Sequence, residues 1–220
     1  MASGTDPISL LVDQSKRESF ETYKEEMEQA MLFREKPRNR TFAIRRAIEN
    51  NIKDGLYVEF GVADGTGTKL FGKELAPHGI SMTGFDSFEG LEEDWTGMQS
   101  GRMVGSFTQG GKLPSVPDNV NLVKGWVQDT LPGYLKKTGD APFSFVHMDM
   151  DTYSPTAFAL KVIKDRLRKG TVILFDELYG YPGWRHHEYK ALQEELPRDS
   201  YKFISFSTEA VAIELLKKPK

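Results

Sequence analysis

Residues 56–68, Leu-Tyr-Val-Glu-Phe-Gly-Val-Ala-Asp-Gly-Thr-Gly-Thr, constrain this chain more than any other stretch. An apolar, β-prone run (Leu56, Tyr57, Val58, Phe60) stops at Gly61. Gly65 and Gly67 follow, and a helix-compatible segment runs from Thr68 to Leu75. That order predicts a strand, a tight glycine turn and a helix start. Glycine takes positive φ without strain and lets a ligand approach bare backbone. The helix start adds unpaired N–H groups, so the turn reads as a nucleotide- or nucleoside-type site. The alternative is an ordinary corner with no ligand.

Glu59 narrows the choice. A phosphate-binding turn gains nothing from a carboxylate at the end of its strand, whereas a cationic ligand without phosphate does. A nicotinamide-dependent oxidoreductase would share the turn, but its pyrophosphate would face that carboxylate.

Further β-α units follow in order. Strands are expected at Ser81–Phe85, Val120–Lys124, Phe143–Met148, Thr171–Phe175, Tyr201–Phe206 and Ala210–Leu216. Helices are expected at Asp129–Lys137, Ser154–Arg168 and His187–Leu196. Only Ser207, Thr208 and Glu209 join the last two strands, which makes them a hairpin. The pattern gives an α/β, Rossmann-like fold: a seven-stranded, mostly parallel sheet with an antiparallel last strand and helices on both faces. Ligands in such sheets sit at the carboxyl ends of the strands, where strand order reverses. Residues 89–118 are long for a connector and read as a functional or mobile loop, with Arg102 and Lys112 as lid candidates.

Ahead of the sheet, residues 1–15 read as a loose leader. Residues 16–34 read as a helix ended by Pro37, and residues 38–51 as a second helix. Residues 1–52 would form a helical cap on an α/β domain at 53–220. The stripe Phe20, Tyr23, Met27, Met31, Phe33 is a packing face in the first reading and a homo-oligomer contact in the second. A net charge of −3 leaves no basic field for nucleic acid. The absence of cysteine excludes disulfides and thiolate metal sites. Neither a signal peptide nor a membrane-length apolar run is visible, so a cytoplasmic location and no membrane partner are expected.

Acidic residues recur at the strand ends. Asp86 lies about 20 residues beyond the glycine turn, where a carboxylate meets a cofactor ribose; a turn or cap role is the alternative. Asp149 and Asp151 follow the Phe143–Met148 strand, and Asp176 and Glu177 follow the next. Asp149, Asp176 and Glu177 would share one rim, and clustered carboxylates repel unless a cation neutralises them. Oxygen donors favour Mg²⁺ or a similar hard ion; pairing with Arg and Lys is the alternative. Such an ion would lower the pKa of a hydroxyl nucleophile. Asp149, His186 and His187 are candidate bases. His147 reads as a hydrogen-bonded core residue. Tyr179, Tyr181 and Trp184 would either wall an acceptor pocket or pack their loop down.

The spacing Glu59-x-Gly61-x-x-x-Gly65-x-Gly67 resembles the first motif of S-adenosylmethionine (SAM)-dependent methyltransferases. Four strings then stand in order: Val58-Glu-Phe-Gly-Val62, Asp86-Ser-Phe-Glu-Gly-Leu91, Lys124-Gly-Trp-Val-Gln-Asp-Thr-Leu-Pro132 and Asp149-Met-Asp-Thr-Tyr153. Together they resemble the macrocin O-methyltransferase family of the class I SAM-dependent methyltransferase fold, over roughly residues 55–190. The resemblance implies that Glu59, Gly61, Val62 and Gly65 hold the methionine part of SAM. It implies Asp86 and Ser87 at the ribose, and Gly125 and Trp126 near the adenine. It places Mg²⁺ on Asp149, Asp176 and Glu177; the family carries a second aspartate where this chain has Glu177. The implied reaction is methyl transfer to a hydroxyl of a small, sugar-bearing or polyhydroxylated acceptor. A nicotinamide oxidoreductase and a non-catalytic binding module of the same fold remain the other readings.

Overall fold

Near-continuous buried strands build a sheet covered on both faces, and the computed structural model describes residues 6–219. In chain order the elements are α1 (Pro7–Glu28), β1 (Met31–Leu32), α2 (Lys36–Asn50), β2 (Leu56–Phe60), α3 (Thr66–Leu75), β3 (Met82–Asp86), β4 (Val120–Lys124), α4 (Val127–Lys137), β5 (Phe143–Met148), α5 (Tyr153–Ile163), β6 (Val172–Phe175), α6 (Glu188–Glu195), β7 (Tyr201–Phe206) and β8 (Val211–Leu215). The strand order is β1-β7-β8-β6-β5-β2-β3-β4. All pairings are parallel except those of β8 with β6 and β7.

Three differences from expectation lie at the N-terminus. Part of the expected loose leader, from Pro7, is helical; Met1 to Thr5 lie outside the described residues. The cause is local. Asp6 accepts hydrogen bonds from the N–H groups of Ile8 (3.0 Å) and Ser9 (3.1 Å), and Pro7 supplies a helical φ at the first position. Pro37, expected to end a helix, instead sits in the first turn of α2, where its missing N–H costs nothing. Between the helices β1 adds an eighth strand, pairing Met31 with Ser205 and Leu32 with Phe206. Two residues are too few for an alternation signal.

Strand side chains alternate between faces, which divides the core in two. Val58, Phe60, Val146 and Met148 join the larger cluster, with Leu131 of α4, Leu160 of α5 and Leu192 of α6. Tyr57 and Phe145 point the other way, to Ala43 and Ile44 of α2 and Phe71 of α3. By the same alternation Glu59 and His147, paired across β2 and β5, face α2 and α3. The chain runs outward from β2 to β3 and β4, then returns to β5 and β6. The order therefore reverses between β2 and β5, and their carboxyl ends, Gly61 and Asp149, adjoin there.

Helix α1 is held by an aromatic cluster. Tyr23 makes edge contacts with Tyr179 (5.7 Å), Tyr189 (6.5 Å) and Phe203 (5.2 Å), and lies near Trp184 and Phe206. Tyr23→Ala should cost about 3–5 kcal/mol, as for other large core deletions, read as a lower urea midpoint. A loss below about 1 kcal/mol, within the range of surface substitutions, would show that α1 is not integral to the core.

Candidate active site

Gly61 has φ +91°, and a Cβ there would lie 1.8 Å from the backbone oxygen of Asp149. Only glycine permits this close approach of β2 to β5. Asp86, at the end of β3, fixes the turn that follows. Its Oδ2 accepts from the N–H groups of Val62 (2.8 Å) and Ala63 (2.7 Å), and its Oδ1 from that of Phe88 (2.6 Å). Gly65 (φ +80°) caps α3 from behind.

A cavity of about 370 Å³ opens above this turn. Gly61, Val62, Asp86, Ser87, Gly125 and Trp126 line it from the β2, β3 and β4 rims. Asp149, Asp151 and Glu177 line it from the β5 and β6 rims. Among its charged lining side chains, Arg40 is the one base beside six acids: Asp64, Asp86, Glu92, Asp149, Asp151 and Glu177. The long loop folds over this end. Leu91 and Ser106 are hydrogen bonded at 2.9 Å, and Phe107, under the Arg102 guanidinium, reaches the cavity.

Glu59 does not line the cavity. It is buried behind the turn, where its Oε2 accepts from the Thr68 hydroxyl and its Oε1 lies 2.9 Å from His147 Nδ1. His147 Nε2 lies 3.2 Å from Asp176 Oδ1. A buried polar chain thus crosses β2, β5 and β6 beneath α2 and α3. Burial works against a charge on His147, but Asp176 and Glu59 outweigh it and raise its pKa from 6.5 to about 9.

The acids at the β5 and β6 ends converge, with cations among them. Arg40 Nη2 reaches Asp176 Oδ1 (2.7 Å) and Asp149 Oδ2 (3.3 Å). Lys36 Nζ lies 3.0 Å from Asp176, 2.5 Å from Glu177 and 3.2 Å from Glu209. Burial alone would raise the Asp176 pKa; His147, Lys36 and Arg40 overcome it and hold this carboxyl well below its usual range. The others go the opposite way. Burial lifts Asp149 and Glu177 well above the ordinary carboxylate value, with Asp176 adding repulsion, and brings Asp151 to about 7. Glu188 is buried too and pushed up, although its Oε2 accepts from the Glu177 N–H at 3.0 Å. Asp149, Asp151 and Glu177 each offer an oxygen within 4.8 Å of the others. Glu177 Oε2 is buried without a hydrogen-bond partner. Oxygen-only donors with an orphaned buried oxygen fit a hard divalent cation.

His186 and His187 do not join this rim. His186 is exposed. His187 is buried, its Nε2 lies 2.9 Å from the Thr96 backbone oxygen, and burial lowers its pKa. It ties the long loop to the segment after β6 and does not face the cavity. Tyr179, Tyr181 and Trp184 are core residues, with Trp95 Nε1 donating to the Tyr181 hydroxyl at 3.3 Å. Sequence reasoning missed Lys36, Arg40 and Glu188. The first two stand four apart on α2, one helical face, which was the available signal.

The strand order, the glycine turn and the acidic rim define a class I methyltransferase fold. A methyltransferase-domain family matches residues 58–178, and the chain belongs to that family. No curated protein matches the chain. Among solved structures, the calicheamicin methyltransferase CalS11 is 22% identical over 79% of this chain and 76% of its own, with a TM-score of 0.66. The O-methyltransferase NovP is 22% identical over 83% and 80%, with a TM-score of 0.59. A cofactor-bound structure of Rv0187 from MTB is 17% identical over 99% and 93%, with a TM-score of 0.53. Among the described residues no helix is long and apolar enough to cross a membrane.

The His147 pKa carries a stability consequence. A folded-state value of about 9 lies above the ordinary 6.5, so protonated His147 stabilises the fold fully below about pH 6.5. That contribution fades as pH rises through 9. Relative to His147→Gln, the wild type should lose roughly 3 kcal/mol of unfolding free energy between those limits. A gap that does not change with pH in urea titrations would contradict this.

Proposed function

We propose that this chain is a SAM-dependent O-methyltransferase that methylates a hydroxyl of a small, sugar-bearing or polyhydroxylated molecule with help from a divalent cation. The supporting observation is the cavity between the glycine turn and the carboxylate rim. Its six acids and single base suit a sulfonium and oppose a dinucleotide pyrophosphate. CalS11 is described as a TDP-rhamnose 3'-O-methyltransferase of calicheamicin biosynthesis, and NovP as an O-methyltransferase. The likeness in fold makes hydroxyl methylation of a natural product the leading reading here.

When bound, SAM would supply a methyl group made electrophilic by its sulfonium, and the cation would acidify the acceptor hydroxyl. The chain's residues do the rest. Gly61 and Val62 form the floor for the methionine part, and Gly65 shapes the turn. Asp86 has three of roughly four acceptor positions filled by backbone N–H groups, which leaves one for a ribose hydroxyl. Ser87, Gly125 and Trp126 flank the nucleoside. Glu59 acts indirectly, bracing the turn through Thr68 and His147. Asp149, Asp176 and Glu177 were the expected cation ligands, and Asp149 and Glu177 of these reach the cavity. The hydroxyl proton would pass to the Asp149 carboxylate, whose basicity burial raises. The N-terminal segment, expected as a cap, supplies Lys36 and Arg40 from α2. Holding donor and acceptor in register would account for much of the rate.

Asp86→Ala should weaken binding of S-adenosylhomocysteine, the demethylated donor, by at least about 10-fold, the order expected for a lost hydrogen bond to a charged group. It should also lower the melting temperature without ligand, because the turn loses its acceptor. Unchanged affinity by calorimetry would remove Asp86 from the ribose. Chelation of divalent ions should abolish methyl transfer while leaving donor binding intact; full turnover in excess EDTA would remove the cation.

A further inference from the structure

We infer that the divalent cation binds through Asp149, Asp151 and Glu177, with Asp151 taking the place that sequence reasoning gave to Asp176. This deepens the methyltransferase reading and rests on it. The argument goes oxygen by oxygen. Both oxygens of Asp176 are engaged: Oδ1 by Arg40 (2.7 and 2.9 Å) and His147 (3.2 Å), Oδ2 by Lys36 (3.0 Å). Asp149 and Glu177 are each half engaged. Asp149 gives Oδ2 to Arg40, and no hydrogen bond among the described residues reaches its Oδ1. Glu177 gives Oε1 to Lys36, and its buried Oε2 has no partner. The Asp151 carboxyl, 7% exposed, meets that of Glu177 and no N–H or O–H donor among the described residues.

Two carboxyl groups facing each other without a donor need a cation or a shared proton between them. The spacing suits a cation, since one oxygen from each of Asp149, Asp151 and Glu177 lies within 4.8 Å of the other two. Ligands about 2.1 Å from an octahedral Mg²⁺ stand roughly 3.0 Å apart when adjacent and roughly 4.2 Å apart when opposite. The backbone points the same way. Asp151 has φ +64°, a left-handed conformation that costs an aspartate on the order of 1 kcal/mol. Asp151 is part of the cavity wall. Glu188 braces the site from behind by accepting the Glu177 N–H. Lys36 and Arg40 hold the oxygens that the cation does not use, so they orient the ligands without blocking them.

Calorimetric titration of Mn²⁺ into the full chain, with no acceptor present, tests this. The wild type should bind. Asp151→Asn should weaken binding by at least about 100-fold, as for a lost ligand. Asp176→Asn should weaken it by about 10-fold or less, as for a residue behind the ligands. Asp151→Asn removes a repulsive contact and should melt no lower than wild type. If Asp176→Asn does not fold, Asp176→Glu provides the comparison. Undiminished Mn²⁺ binding by Asp151→Asn overturns the inference, as does a larger loss from the Asp176 variant. Titration of S-adenosylhomocysteine into the same samples separates the two levels. Wild type that binds it but not Mn²⁺ overturns the cation site alone, whereas wild type that binds neither overturns the methyltransferase reading as well.

Discussion

The neutralisation of buried carboxyl groups governs how the two halves of this structure meet. Glu59, Asp149, Asp151, Asp176, Glu177 and Glu188 crowd the carboxyl ends of β2, β5 and β6, and among the described residues the cations paired with them are Lys36, Arg40 and protonated His147. A buried charge without a partner costs several kcal/mol. Helix α2 therefore cannot leave the sheet without stranding Asp176, whose oxygens depend on Lys36 and Arg40. Three cations against six acids still leave a deficit. High pKa values at Asp149, Glu177 and Glu188 are its visible result. A site short of positive charge is suited to ligands that bring it, and both a sulfonium and a divalent ion do.

The glycine turn shows how little freedom the site has. Gly61 lies against the Asp149 backbone, so the floor of the donor cavity and the acidic rim are one contact. Asp86 locks the same turn through Val62 and Ala63. The glycine turn and the β5 end therefore cannot shift independently of each other. The long loop is tied to the segment after β6 at two points, His187 to Thr96 and Trp95 to Tyr181. The histidines that looked like candidate bases serve, in the case of His187, to keep that loop in place.

Much of the site was legible because strand ends are marked locally. The apolar run stopping at Gly61 and the acids at the ends of β3, β5 and β6 pointed to Asp86 and to a rim of Asp149, Asp176 and Glu177, of which Asp86, Asp149 and Glu177 line the cavity. What stayed hidden depends on direction. Glu59 stands at a strand end like the others, but it is the penultimate residue of β2, and alternation turns it under α3. Asp176, one position before Glu177, turns toward α2 in the same way, while Glu177 faces the cavity.

The sequence by itself determined the α/β succession, the antiparallel last strand and the glycine corner. These follow from periodicity, chain connection and backbone sterics, which act over a few residues. Only the tertiary structure decided which acids meet which cations. Lys36 and Arg40 reach Asp176 across 140 and 136 positions of sequence. No local pattern encodes a partner at that distance, because the pairing exists only once α2 is packed on the sheet and water is excluded from the rim.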